Sequence, residues 1–260
     1  MELLPSKKHT FYNHQKLYTY HILSDIGCPV LKSALVLGSN CLTNTNVQKI
    51  KDHFNSDLCM ARYQYIMPNS SPIRGGNLVE LHYNSLIQKL TPNTYLWLFE
   101  PVNRLTNNYG INLFFNRTSN NLVFECVGRG FDVASINRGD ISPHEIIQFR
   151  LPIEYGWYNE WWKYAKFDFV SEALFEKSKH IRLKKLNHIG LTADIAIFDR
   201  IYRPLPYSQI EKLLMYCDVI DNEISNESVF VVSCSILENQ EVVFWDISTP
   251  SGKMRILKNG

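Results

Sequence analysis

YLWLFEPVNRLTNNYGINLFFNRTSNNLVFECVGRGFDVASINRGDISPHE, residues Tyr95–Glu145, decides how the rest of the chain is read, because strands, glycines and charges are densest here. Tyr95–Phe99 is a short aromatic and apolar run that stops at Glu100-Pro101, and Pro101 has no N–H with which to continue a ladder. Gly110–Phe115 and Leu122–Val127 are two further β-prone runs, and NRTSNN between them has the length and composition of a hairpin connection. Gly128-Arg129-Gly130 and Arg138-Gly139-Asp140 follow. Such glycines let backbone turn sharply or approach a ligand, and the neighbouring arginines suit phosphate or carboxylate; tight turns between β elements read equally well. SPHE at Ser142–Glu145 has the capping-box pattern with Pro143 at the first helical position, so the expectation is a helix.

Working back from this stretch, Thr10–Ile26 reads as a helix with Leu17, Tyr18, Ile22 and Ile26 on one face, stopped by Gly27 and Pro29. Pro29–Gly38 is β-prone, and TNVQ at Thr45–Gln48 predicts the cap of a helix carrying Val47, Ile50 and Phe54. Leu58–Met67 reads as a strand with Arg62 in its middle, either snorkelling from an edge or facing a cleft. Asn69–Asn77 holds serines, Arg74, Gly75 and Gly76, a composition able to wrap N–H groups around phosphate and shared by plain solvated loops. A helix bearing Val79, Tyr83, Leu86 and Leu90 is expected after it.

Working forward, Glu154–Phe169 carries three of the five tryptophans, which suit either stacking on a base or packing. Val170–Asn187 reads as a helix with Val170, Leu174 and Ile181 inward and Lys177, Lys179, Arg182, Lys184 and Lys185 mostly outward: a solvated face or a polyanion site. Leu191–Tyr202 fits helix or strand. SQIE at Ser208–Glu211 opens a helix, and Val229–Leu237 with Glu241–Ser248 form a closing hairpin, followed by the loop TPSGK.

The chain has 260 residues, 45% hydrophobic and 20% charged, within the range of a folded globular protein. A net charge of +2 gives no global case for nucleic acid. Six scattered cysteines show no metal spacing and suit a reducing compartment, the first residues lack the apolar core of a signal peptide, and no run of apolar residues is long enough to span a membrane, so a cytoplasmic protein is expected. HExxH, GxSxG and Walker patterns do not occur.

Taken in order, these features resemble the ATP-grasp superfamily of nucleotide-dependent ligases. Lys16–Val36 is similar to the family's helix-then-strand entry to its smaller lobe, Arg62 falls where the family keeps a nucleotide-contacting Lys, and Ser70–Gly76 where its phosphate loop lies. Leu98–Val102 resembles the hinge strand that holds adenine and ribose, and Phe244–Ser248 the last strand with its magnesium ligands. The resemblance implies an α+β fold of two antiparallel-sheet lobes with nucleotide between them: residues 1–94 the smaller lobe, 95–260 the larger. It implies ATP and Mg²⁺ as cofactors, with Arg62, Arg74, Gly75, Gly76, Glu100 and Val102 at the nucleotide and Asp246 and Asp194 at the metal. Arg129 and Arg138 would hold a small-molecule or peptide carboxylate, and Asp132 and Asp140 would assist an amine substrate. The reaction implied is ligation through an acyl phosphate. Three departures stand out: Arg62 in place of Lys, Ser248 in place of Asn, and Ser233 where a second carboxylate is expected. A nucleotide binder that has lost its metal ligands is therefore the alternative, and a polyanion binder a second one. The family's separate N-terminal domain is missing, so a homodimer or a partner protein supplying it is also expected.

Overall fold

The computed structural model describes residues 1–5, 15–65, 78–88, 90, 94–102, 106–150, 161–188, 194–224 and 227–249, with backbone alone at 15–16, 63–65 and 94–95. The loop of Arg74, Gly75 and Gly76, the tryptophan at 157 and most of TPSGK lie outside the described residues. The fold is α+β, with two antiparallel sheets, and divides into two compact units, Met1–Phe11 with Val30–Asn103 and Tyr12–Pro29 with Arg104–Gly260.

In the first unit β1 (Glu2–Leu4) leads the chain; helix α1 (Gln15–Asp25), which follows, is grouped with the second unit. Then come β2 (Ser33–Leu37), α2 (Asn44–Phe54), β3 (Leu58–Tyr65), β4 (Leu78–Glu80), the short α3 (Tyr83–Ile87) and β5 (Thr94–Phe99). The strands form one sheet in the order β1-β2-β5-β3-β4. One face, with Ala34, Val36, Cys59, Ala61, Leu96 and Leu98, packs on Val47, Ile50 and Phe54 of α2 and Leu86 of α3. The α2 cap is Thr43, whose hydroxyl accepts from Asn46 N at 3.1 Å, two residues before the expected cap, and Asn55 ends the helix at φ 52. The helix expected from Val79 onward is a correction: Val79 lies in β4, opposite Cys59, and the helical turn begins at Tyr83.

The second unit is built on β6 (Tyr109–Asn116), β7 (Asn121–Val127), β8 (Glu145–Arg150), β9 (Ala165–Phe169), β10 (Val229–Ile236) and β11 (Val242–Ser248), in the order β11-β10-β6-β7-β8-β9. Short α4 (Ala134–Asn137) and the longer α5 (Glu172–His188) and α6 (Tyr207–Glu223) complete it. The β6–β7 hairpin has the expected register, Gly110 opposite Val127 and Phe115 opposite Leu122. Three expectations fail for the same reason, that long-range pairing outweighs a local pattern. SPHE opens no helix: Glu145 pairs with Cys126 as the first residue of β8. In α5 the buried side chains are Phe175, Ser178, Lys179 and Leu186, while Leu174 is exposed, so Lys179 points inward. In α1 the side chains of Leu17, Tyr20, His21 and Leu23 are all buried, a nearly all-round burial in place of a single stripe.

Gly130 marks a packing limit. Its φ is 85°, and a methyl group there would run into the ring of Phe198, which packs in a core with Val127, Phe131 and Phe175. Gly139, at φ 69°, has open space around it. Gly130→Ala is expected to lower the unfolding free energy by about 2–5 kcal/mol and Gly139→Ala by about 1 kcal/mol, the first combining left-handed strain with overpacking and the second strain alone. Urea titration of both variants checks the ratio.

Candidate functional site

In the first unit, alternation along β3 places Arg62 on the sheet face opposite the helices. Its Cα partner is Trp97, and its guanidinium lies 5.1 Å from the Phe99 ring centroid, a cation–π distance. Met60, Trp97 and Phe99 on that face are buried. The face is thus an aromatic floor with one cation above it. Glu100 follows β5 directly; its carboxylate accepts from Lys32 N at 2.9 Å and its own N–H donates to Lys32 O at 2.9 Å. Val102 is half-buried.

In the second unit the ladder register aligns Asp246, Ser233, Asn112 and Glu125 in a row across β11, β10, β6 and β7. Side chains of directly opposed residues share a face, so this is a polar row across four strands. Thr19 Oγ1 of α1 donates to Asp246 Oδ1 at 3.2 Å. Ser233 Oγ donates to Asn112 Oδ1 at 2.9 Å, and Asn112 Nδ2 donates to Asn137 Oδ1 at 2.7 Å and reaches Glu125 Oε2 at 3.5 Å. Burial pushes the Glu125 carboxyl up, opposed by that amide contact. Asn112 and Glu125 escape sequence reading because nothing local marks them; only the register of β6 on β7 does.

Ser233 stands where the second metal carboxylate was expected, directly opposite Asp246, and offers a hydroxyl already committed to Asn112. Ser248 is an exposed hydroxyl. Asp194 serves a different element, accepting from Ala196 N at 3.0 Å to cap the turn Ile195–Ile197. Among the described residues no three His, Cys, Asp or Glu side chains converge as a metal site. A paired-carboxylate magnesium site is not matched by these donors.

Arg129 pairs with Glu238 at 3.3 Å. Arg138 pairs with Asp140 at 3.0 Å, and Asp140 also meets Lys185; these cations, the lysine first, hold its carboxyl below the usual range. Asp132 accepts from Ala134 N at 3.0 Å, closing a turn. Trp161 is buried against Phe149, Phe167 and Tyr207, which is packing. The basic face of α5 is thinned: Lys179 bonds Glu176 and Arg200 O, Lys185 meets Asp140, and Arg182 donates to Gly130 O at 3.4 Å.

A buried polar cluster sits at the start of β8. His144 Nδ1 accepts from Gly128 N at 3.2 Å, its ring is packed edge-on by Phe131, Phe175 and Tyr202, and its Nε2 has no partner among the described residues. Glu145 Oε2 accepts from Tyr202 OH at 2.6 Å and Leu205 N at 2.8 Å, which ties the segment after Asp199 to the sheet.

The class these units define is an α+β protein of two antiparallel sheets. No protein-family model and no curated protein matches the chain. Among solved structures it is similar to N5-carboxyaminoimidazole synthetase from Staphylococcus aureus complexed with ADP, at 10% identity and TM-score 0.46 over 93% of this chain and 44% of that one. It is also similar to D-alanyl-alanine synthetase A from Vibrio cholerae, at 8% and 0.45 over 93% and 56%. A third is the macrocyclase MdnC from Microcystis aeruginosa bound with precursor peptide MdnA, at 8% and 0.42 over 92% and 53%. The chain spans about half the length of these solved structures. None of these likenesses assigns a role to a residue.

Burial, with repulsion from Lys179 second, pushes the His144 imidazole down from 6.5 to about 3. A histidine depressed in the fold contributes full stability above its unfolded pKa and loses it as pH falls from 6.5 toward 3. Burial raises the Glu145 carboxyl, against the bonds from Tyr202 and Leu205, so its contribution runs the other way, present below 4.5 and lost as pH rises through the raised value. Replacing His144 with Asn separates the two. The urea-unfolding free energy of the native chain relative to His144→Asn is expected to drop by up to about 1.4 kcal/mol per pH unit below pH 6.5; a constant difference from pH 7 to 5 would contradict it.

Proposed function

We propose that the chain is an ATP-grasp-like protein that binds a nucleotide and has lost the metal site needed to drive ligation. The observation that carries this is the Ser233–Asp246 pair: the strand register puts a serine opposite the aspartate, and its hydroxyl is spent on Asn112. Arg62, Arg74, Gly75, Gly76, Glu100 and Val102 are the proposed ATP contacts, with the aromatic floor of Trp97 and Phe99 beside Arg62.

A second reading, an ATP-dependent carboxylate–amine ligase, keeps support from Asp246 itself. Magnesium is commonly held through one or two carboxylates together with substrate phosphates, so one aspartate meets the lower limit. In that reading Asp246 would hold the metal, which neutralises phosphate charge, Asp194 would need to move to join it, and Arg129 and Arg138 would leave Glu238 and Asp140 to take the carboxylate substrate, small molecule or peptide. The polyanion reading loses support from the thinned basic face of α5. Six free thiols, five of them buried, suit a reducing compartment, and among the described residues no helix is long and apolar enough to cross a membrane. A cytoplasmic site of action remains part of the proposal.

Calorimetry with ATP, with and without Mg²⁺, tests the two readings. Binding is expected to be magnesium-independent, to survive Asp246→Asn, and to weaken about tenfold in Arg62→Ala, the size of one charge-assisted contact. Ser233→Asp is expected to add a magnesium enhancement. ADP release on mixing with magnesium and amine and carboxylate substrates would replace this reading with the ligase; no ATP binding at all would sink both.

A further inference from the structure

The strand β9 ends the six-stranded sheet, and among the described residues nothing pairs with its outer side. Such an edge presents a row of backbone donors and acceptors, and sheet proteins normally blunt it with charge, proline or a covering loop. Here the strand carries exposed Lys166 and Asp168, ends in Phe169, half exposed at 50%, and runs into a cavity of about 190 Å³ lined by Phe169, Val170, Phe175, Ile201, Tyr202 and Pro204, with Glu172 at its edge. At ~30 Å³ per water this is room for about six waters, the size of one large aliphatic or aromatic side chain. Ile201 is 57% exposed, so the apolar lining faces solvent. Glu172, in the first turn of α5, is the one charged residue of the lining and makes no hydrogen bond or ion pair with the described residues.

We propose that β9 and this cavity form a binding site for an extended peptide that adds a strand to the sheet edge, seats one apolar side chain in the cavity and presents a basic residue to Glu172. The open edge supplies main-chain pairing and so selects an extended chain; the cavity and the carboxylate select its side chains. The cavity walls are fixed from behind. Tyr202 is held by Glu145, whose Cα partner across the ladder is Phe169, and Phe175 is packed on His144. A wall braced in this way is ready for a ligand without rearrangement. The proposal stands apart from the nucleotide reading, since every residue it uses lies around β9, α5 and the segment after Asp199.

The test is fluorescence anisotropy on the full chain with a fluorescein-labelled seven-residue peptide of alternating threonine and valine with leucine-lysine at its centre. A leucine-glutamate version and a version N-methylated at alternate backbone nitrogens serve as comparisons. Saturable binding is expected, about tenfold tighter for the lysine peptide than for the glutamate one and lost on N-methylation. Glu172→Lys should reverse the charge preference, and Ile201→Glu should weaken both peptides tenfold or more; both side chains are exposed, so folding is retained. ATP titration of the same variants should be unchanged, which separates this proposal from the nucleotide reading. Absence of saturable binding, equal binding by the variants, or binding that survives N-methylation would overturn it. So would concentration-dependent dimerisation abolished by Ile201→Glu, which would assign the face to a second copy of the chain.

Discussion

The hydrogen bond from Ser233 to Asn112 joins two groups that could not be buried without each other. Both sit in the middle of a sheet whose other face is packed with Phe, Leu and Ile, and an unpaired amide or hydroxyl there would cost about 1–3 kcal/mol. The pairing requires β10 and β6 to hold the register that sets Cys234 against Ile111 and Phe230 against Phe115, the stacked ring pair at 4.3 Å. Slipping either strand by one residue would turn the polar row into the core. A polar contact therefore guards the alignment on which the apolar packing depends, and β11, α1 and α4 attach to it through Asp246, Thr19 and Asn137.

That same contact decides what the sheet can do chemically. A carboxylate at 233 would repel Asp246 across the ladder unless a cation sat between them. A serine removes the repulsion and the need for the cation together. The hydrogen bonds of Ser233 to Asn112 and of Asn112 to Asn137 satisfy these groups within the protein.

The parts legible in the sequence were those where local chemistry and long-range pairing agree. The hairpin Gly110–Val127, the strand ending at Glu100-Pro101 and the closing hairpin all have β-prone runs with turn residues between them, and all form as read. The position of Ser233 relative to Asp246 is not set by the turn: counted from Ile236 opposite Val242, Ser233 would face Trp245, and an irregularity between Ser233 and Cys234 shifts it to Asp246. Ser142–Glu145 failed because a capping box is a four-residue pattern while the fate of Glu145 is set by Cys126, nineteen residues earlier in sequence and its neighbour in the ladder. Lys179 failed likewise: a lysine reads as surface until Glu176 and a backbone carbonyl at Arg200 are found around it.

Glu145 and Lys179, both misplaced by the sequence pattern, lie in one polar cluster, and this has a physical cause. His144, Glu145 and Lys179 are buried and Tyr202 half-buried at the junction of β8, α5 and the segment after Asp199, where each is held by its neighbours: Glu145 takes Tyr202 and Leu205, Lys179 takes Glu176 and the Arg200 carbonyl, and His144 stays neutral against aromatic rings. No residue-by-residue scale can place such a set, since each member alone would be assigned to solvent. A buried group of this kind adds specificity more than stability. It fixes Tyr202 and Phe175 as rigid walls, and those walls line the cavity beside the open edge of β9. Rigidity placed beside an unpaired strand edge is what recognition of an extended chain requires, because a peptide that orders on binding loses its own conformational freedom and gains most from a surface that has none left to lose.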